Sequence, residues 1–243
     1  MPGAVQAHWK DWSNVQVKQG EKGWAVILPN EVLSEKFGTL GIDGTKSVVI
    51  YNDTLAGWGD EGRSLWTFRF FGLNNTFILN GGIKAWQESG GEITQTVPAV
   101  QPVKVPKPQA NRSLFASLED LSSKLGAVNV LDVREDEEYA GTEDYGEKLK
   151  GRIPSSKHIW FKDFYNADGT LQSPAQIRAR LESLGFKSQD EVILYCTGGI
   201  RSGFATIALQ IAGYDKARNY NASFSEWAGT GQAIDNVVLK ELK

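Results

Sequence analysis

The stretch Glu191-Val192-Ile193-Leu194-Tyr195-Cys196-Thr197-Gly198-Gly199-Ile200-Arg201-Ser202 holds the chain's only cysteine and decides the fold. Its apolar first half reads as a strand that ends on the thiol, after which two glycines turn the chain. Phe204, Ile207, Ala208 and Ile211 then stand at i, i+3, i+4 and i+7, and Gly213 can close the helix they mark. A strand that turns straight into a helix beside a sulfur surrounds that sulfur with backbone N–H groups. The segment is built to hold a thiolate.

A lone cysteine beside an apolar strand is otherwise a small buried hydrophobe. Such a residue has no use for Gly198, Gly199 and an arginine five positions on, whereas an anion cradle needs all three. The helix dipole, the N–H groups of the turn and the Arg201 guanidinium all favour the anion, lowering the thiol from its reference pKa of roughly 8.5. Four residues, Thr197 to Ile200, separate Cys196 from Arg201. A thiolate that receives a tetrahedral phosphoryl group, as in cysteine-dependent phosphatases, needs a ring one residue wider. The tighter ring suits a single sulfur atom carried as a persulfide.

Three further segments extend the pattern. They are Val130-Leu131-Asp132-Val133-Arg134 followed by Glu138-Tyr139, Gly151-Arg152-Ile153-Pro154 followed by His158-Ile159, and Asn221-Ala222-Ser223-Phe224-Ser225-Glu226-Trp227. With the cysteine loop they resemble, in order, the motifs of the rhodanese family of sulfurtransferases over about residues 113 to 230. The resemblance implies that Cys196 is nucleophile and persulfide carrier. It also implies that Arg201 orients the donor's oxyanion, and that Thr197, Gly198, Gly199, Ile200 and Ser202 contribute N–H groups to the persulfide. No metal and no organic cofactor is implied. Asp132 and Arg134, two apart at a strand end, read as a buried salt bridge supporting the loop.

The implied reaction is sulfurtransferase chemistry of the thiosulfate sulfurtransferase type. Sulfane sulfur would pass from thiosulfate or a related small anionic donor to a thiophilic acceptor, cyanide, a thiol or an acceptor protein. Mercaptopyruvate is disfavoured, because Glu138 stands where mercaptopyruvate-specific relatives have an arginine. Arg201 is the loop's sole cation, so the alternatives are a persulfide relay or a binding module with little turnover, and lastly a phosphatase.

The same order of signals occurs twice along the chain. Leu28-Pro29, Leu40-Gly41-Ile42 and Val48-Val49-Ile50-Tyr51 parallel Ser173-Pro174, Leu184-Gly185-Phe186 and Val192-Ile193-Leu194-Tyr195. Gly72 precedes Trp86 by the same fourteen positions as Gly213 precedes Trp227. The expected architecture is α/β, two tandem rhodanese-like domains, each a mostly parallel sheet with helices on both faces. Residues 1–97 form a first domain without a cysteine and incomplete at its N-terminus, and 98–112 a proline-rich linker with Pro98, Pro102, Pro106 and Pro108. Residues 113–243 form the domain carrying the thiol. In the first domain the cysteine position falls in a longer stretch, where Asp53, Asp60 and Glu61 would repel an anionic donor. A missing strand there would leave an apolar face for another element or a partner chain to cover.

At 243 residues, 41% apolar and net charge −3, the chain has proper cores and no basic stripe for nucleic acid. No run of apolar residues is long enough for a membrane span. One cysteine excludes an intrachain disulfide, so the default compartment is the cytoplasm, with the periplasm open if a leader was removed. Trp9, Trp12, Trp24, Trp58 and Trp66 read as core and interface packing, or as the lining of an interdomain pocket. His8 and His158 are too few for a zinc site and read as structural hydrogen-bond partners.

Overall fold

The structure is a computed structural model that describes residues 1–105 and 107–236. Pro106, in the expected linker, and residues 237–243, at the end of the second expected domain, lie outside the described residues. The first half runs through α1 (Asn30–Thr39), β1 (Val48–Ile50), α2 (Asp60–Phe71), β2 (Thr76–Ile78) and α3 (Gly82–Glu88). The second half continues with β3 (Phe115–Ala116), α4 (Leu118–Ser122), β4 (Asn129–Asp132), α5 (Asp136–Ala140) and β5 (Lys157–His158). It closes with α6 (Pro174–Ser183), β6 (Val192–Tyr195), α7 (Ile200–Ile211), β7 (Ala217–Tyr220) and α8 (Ser223–Gly229).

In the second half five strands form one parallel sheet in the order β3-β7-β6-β4-β5. Parallel neighbours require crossovers, and the helices that supply them bury both faces. Strand alternation sends Leu131, Val192 and Leu194 into a core with α6 and α7 through Ile177, Leu181, Phe204 and Leu209. Val130, Ile193 and Tyr195 point the other way, against Leu121, Phe224 and Trp227. All four residues of β6 are consequently buried. β4 and β6 pair Asp132 with Tyr195, so both strands end at the same level and Cys196 emerges at the carboxyl edge of the sheet. That edge is where open α/β sheets place their ligands.

Local chemistry starts and stops these helices. Ser173 and Gln176 form a capping box with Pro174 at the first turn of α6, and Ser117 with Asp120 does the same for α4. α7 begins after Gly199, whose φ of 81° few side chains tolerate.

In the first half the sheet is reduced to the parallel pair β1-β2. Val48 and Ile50 lie against Leu33, Phe37, Phe68 and Phe71 of α1 and α2. Val49 and Phe77, on the other face of the pair, are 55% and 48% exposed, so that face is uncovered among the described residues. The two halves follow one α/β plan with parallel strands flanked by helices, which is the tandem arrangement expected from the repeat. The connecting stretch lies along the first half, where Val103 donates to Gly38 O at 3.0 Å and Asn111 to Phe70 O at 2.7 Å.

The halves meet where α2 crosses α7. A Cβ on Gly62 would fall 2.5 Å from Phe204 Cα, and one on Gly203 would fall 3.3 Å from Arg63 Cα. Only a glycine at 62 lets the helices approach this closely, and the approach carries Arg63 and the preceding turn to the cysteine loop. Gly62→Ala is expected to destabilise the chain by about 1–3 kcal/mol through overpacking. Chemical denaturation checks this, and an unchanged midpoint would show that the crossing is looser than described.

Candidate functional site

Backbone turns cradle the sulfur. Gly199 N–H donates to Cys196 Sγ at 3.1 Å. Ser202 Oγ lies 3.4 Å from Sγ and 2.8 Å from Asn219 Oδ1, so its proton is shared between them. Cys196 N–H donates to Ser223 Oγ at 3.1 Å, while Phe224 and Ser225 N–H donate to the carbonyls of Cys196 and Thr197. Ser223 adopts φ 55°, a left-handed conformation unfavourable for a side chain, at the position where the first half has Gly82 at φ 59°. The repeat is exact in its bonding: Ile83 N–H donates to Asn52 O, as Phe224 does to Cys196 O. Asn52 therefore occupies the cysteine's place in the first half.

Burial pushes the Cys196 thiol up, but the Arg201 charge and the Ser202 and Gly198 groups outweigh it, leaving the thiol below its ordinary value. The expected anion cradle thus forms around a sulfur that is also a buried residue, only 1% exposed.

Arg201 is occupied. Its Nη1 and Nη2 donate to Glu138 Oε2 and Oε1 at 2.6 and 2.9 Å, and Nη2 also donates to Thr197 Oγ1 at 2.7 Å. Thr197 Oγ1 in turn donates to Glu138 Oε1 at 2.7 Å, and Glu135 N–H donates to Oε2 at 3.0 Å. A bidentate pair of this kind is strong and directional. Above it, the guanidinium carbon lies 5.4 Å from the Trp58 ring centroid and 5.9 Å from that of Tyr145. Trp58 and Tyr145 meet edge to face at 5.7 Å.

Arg63 was not singled out by sequence, because nothing near it in the chain marks it. Its Nη1 donates to Gly199 O at 2.9 Å, and its Nη2 to Ser13 Oγ and Ala25 O at 2.9 and 3.0 Å. It is fully buried and, among the described residues, has no carboxylate partner. Burial lowers its pKa to about 9 and the Cys196 thiolate opposes that shift. Trp24 and Ala25 close the other side, since a Cβ on Gly198 would fall 2.4 Å from the Trp24 ring.

The positions of the other expected residues are as follows. Asp132 and Arg134 make a buried pair at 2.7 Å, and Arg134 also donates to Gly151 O at 2.7 Å and stacks over Phe224 at 4.2 Å. Ile200 begins α7 and offers no group to the sulfur in the described bonds. His158 Nε2 meets Arg134 O at 2.8 Å, and His8 caps the short helix Trp9–Trp12. Trp12 and Trp66 are core, whereas Trp24 and Trp58 reach the loop. The acids of the stretch expected to repel a donor are all hydrogen-bonded. Asp53 accepts from Leu55 and Ala56, Asp60 from Trp58 and Asn52, and Glu61 from Tyr165 across the interface.

One expectation needs correction. Turnover of thiosulfate or a related small donor with cyanide or a thiol needs a persulfide open to freely diffusing reactants, and Cys196 is buried beneath the first half. Arg201, expected to orient the donor's oxyanion, is paired with Glu138 at 2.6 Å in the structure. The thiosulfate-turnover reading is overturned by this burial, and the closed arrangement fits the relay or binding alternative better. No described helix is long and apolar enough to cross a membrane.

Comparison with known proteins covers both halves. Residues 116–230 match the Rhodanese-like domain family. The chain is 34% identical over 205 residues to a thiosulfate sulfurtransferase of Pseudomonas aeruginosa, covering 83% of this chain and 74% of that protein. It is 29% identical over 244 residues to the sulfur carrier protein TtuD of Thermus thermophilus, covering 93% of this chain and 81% of that one. Wild-type EanB shares the fold with TM-score 0.83 at 18% identity. A further EanB structure, TM-score 0.86 at 18% identity, holds ergothioneine covalently linked with a persulfide cysteine. Each match covers 98% of this chain and 60% of the EanB chain, so this chain spans about 60% of their length. Given the identity to the Pseudomonas relative over most of both chains, the protein belongs to the rhodanese family, the superfamily of the thiosulfate sulfurtransferases.

Proposed function

We propose that the chain is a persulfide relay: it holds one sulfane sulfur on Cys196, sheltered between its halves, and passes it between persulfide and thiol partners with little turnover of small anionic donors. One observation carries this reading. The thiol sits in a cradle that stabilises an anion, yet the cradle's cation is bound to Glu138 and the opening is roofed. A dianion approaching the thiolate would gain little from Arg201, whereas a thiol-bound sulfur needs no such attraction.

In the transfer step the Cys196 thiolate attacks the outer sulfur of a donor persulfide. The donor's S–S bond breaks, its inner sulfur leaves as a thiolate, and a new S–S bond forms on Cys196. Electrons balance within the exchange and no cofactor takes part. Gly199 N–H and Ser202 then solvate the bound sulfur, and Asp132 with Arg134 holds the neighbouring strand end in place. The partners in this reading are a persulfide donor and an acceptor thiol, either of which a protein could present at the Trp58–Tyr145 roof. The name of the Thermus relative, a sulfur carrier, and the persulfide cysteine of the EanB structure support it. In the same reading residues 1–97 are the wall, 98–112 the connector and 113–243 the part that bears the sulfur.

Intact mass after exposure to a low-molecular-weight persulfide is expected to rise by one sulfur atom, and Cys196→Ser is expected to show no rise. No addition from any persulfide donor would leave the binding-module alternative, and rapid cyanide-dependent turnover of thiosulfate would overturn the relay. Titration by thiolate ultraviolet absorbance is expected to place the Cys196 midpoint below the ~8.5 of free cysteine. The sign follows from the lowered thiol: the thiolate, and the stability it adds to the fold, persists as pH falls from the unfolded value and is lost through the folded one. Arg63→Met should move the midpoint up. Trp58→Ala removes a cation–π contact of about 1 kcal/mol and should speed alkylation of Cys196 by roughly five-fold. An unchanged rate would show that Trp58 does not control access.

A further inference from the structure

A cavity of about 500 Å³ lies between the halves and shares no lining residue with the cysteine loop. Its walls are mostly apolar, and its size is that of a small-molecule site. Three residues on one face of α2 line it in sequence, Glu61, Leu65 and Arg69, with Ile207 and Ile211 of α7 opposite. Positions i, i+4 and i+8 stack along a helix, so the two charged residues bracket Leu65 and their Cα atoms lie ~12 Å apart along the axis.

Each end keeps one buried polar atom without a partner among the described residues. Glu61 is 2% exposed; Oε1 accepts from the Tyr165 hydroxyl at 2.6 Å, while Oε2 is buried without a hydrogen-bond partner. Buried carboxylate oxygens are normally matched, and this unmatched one belongs to a residue that lines the cavity. Burial raises the Glu61 carboxyl above its ordinary value, the Tyr165 bond opposing. Arg69 donates from Nη2 to Thr76 O at 3.2 Å, but its Nε is buried without a partner. Among the described residues no carboxylate pairs with it.

We infer that this cavity binds a small zwitterion with an apolar body, of the size of a short apolar peptide, its ammonium on Glu61 and its carboxylate on Arg69. Leu65, Ile207 and Ile211 receive the apolar middle. The site is independent of whether Cys196 carries sulfur, because no residue is shared.

Isothermal titration calorimetry of the full chain with the dipeptide Leu-Leu tests the inference. Leu-Leu should bind, N-acetyl-Leu-Leu and Leu-Leu amide should each bind at least ten-fold more weakly, and Leu65→Trp should abolish binding by filling the space. Glu61→Gln should weaken Leu-Leu but not N-acetyl-Leu-Leu further, and Arg69→Met should weaken Leu-Leu but not the amide further. Thermal unfolding of each variant confirms that it is folded, and Leu65→Trp leaves both charged groups in place should either substitution fail that check. Absence of Leu-Leu binding to the native chain, or equal binding of the capped peptides, would overturn the assignment.

Discussion

Glu138 binds the thiol loop to the rest of the second half. Its two oxygens accept both terminal nitrogens of Arg201, the Thr197 hydroxyl and the Glu135 N–H. A carboxylate so placed caps α5 and fixes the first turn of α7 at once. It also settles the charge of the loop. Removing one partner of a buried pair leaves the other uncompensated, at a cost of about 3–5 kcal/mol, so the arrangement is rigid. Arg201 still favours the thiolate, and a second buried cation, Arg63, stands beside the loop with the thiolate opposing the effect of its burial.

Arg63 reaches the loop because α2 and α7 touch at Gly62 and Gly203. The first half has Asn52 where the second has its cysteine, yet its role is not merely to fill space. It supplies a buried cation, the Trp24 floor and the Trp58 roof. A sulfur held here is kept from water by one half and solvated by the backbone of the other. That division leaves the cradled sulfur buried between the halves.

The second half was legible in sequence because its signals are local. The β6–α7 unit, the Ser173-Pro174 start of α6 and the Asp132–Arg134 pair all follow from residues within a few positions of each other. The repeat was legible too, since the spacing from Gly72 to Trp86 matches that from Gly213 to Trp227. What escaped was carried by distance. Glu138 meets Arg201 across 63 positions, and Arg63 meets Gly199 across 136, and no periodicity reports either contact. Glu61 read as one of three acids that would repel an anionic donor, but it meets Tyr165 across the interface. Ser223 hid a left-handed position that Gly82 displays openly in the first half.

The central claim is that pairing with Glu138 withholds Arg201 from anionic donors. Thiosulfate-dependent persulfidation, followed by intact mass in the native chain and in Glu138→Gln below its unfolding temperature, tests it most directly. The native chain should remain unmodified by thiosulfate, and the variant, with Arg201 freed, should gain one sulfur on Cys196. Ready modification of the native chain, or its loss on removing the carboxylate, would contradict the account.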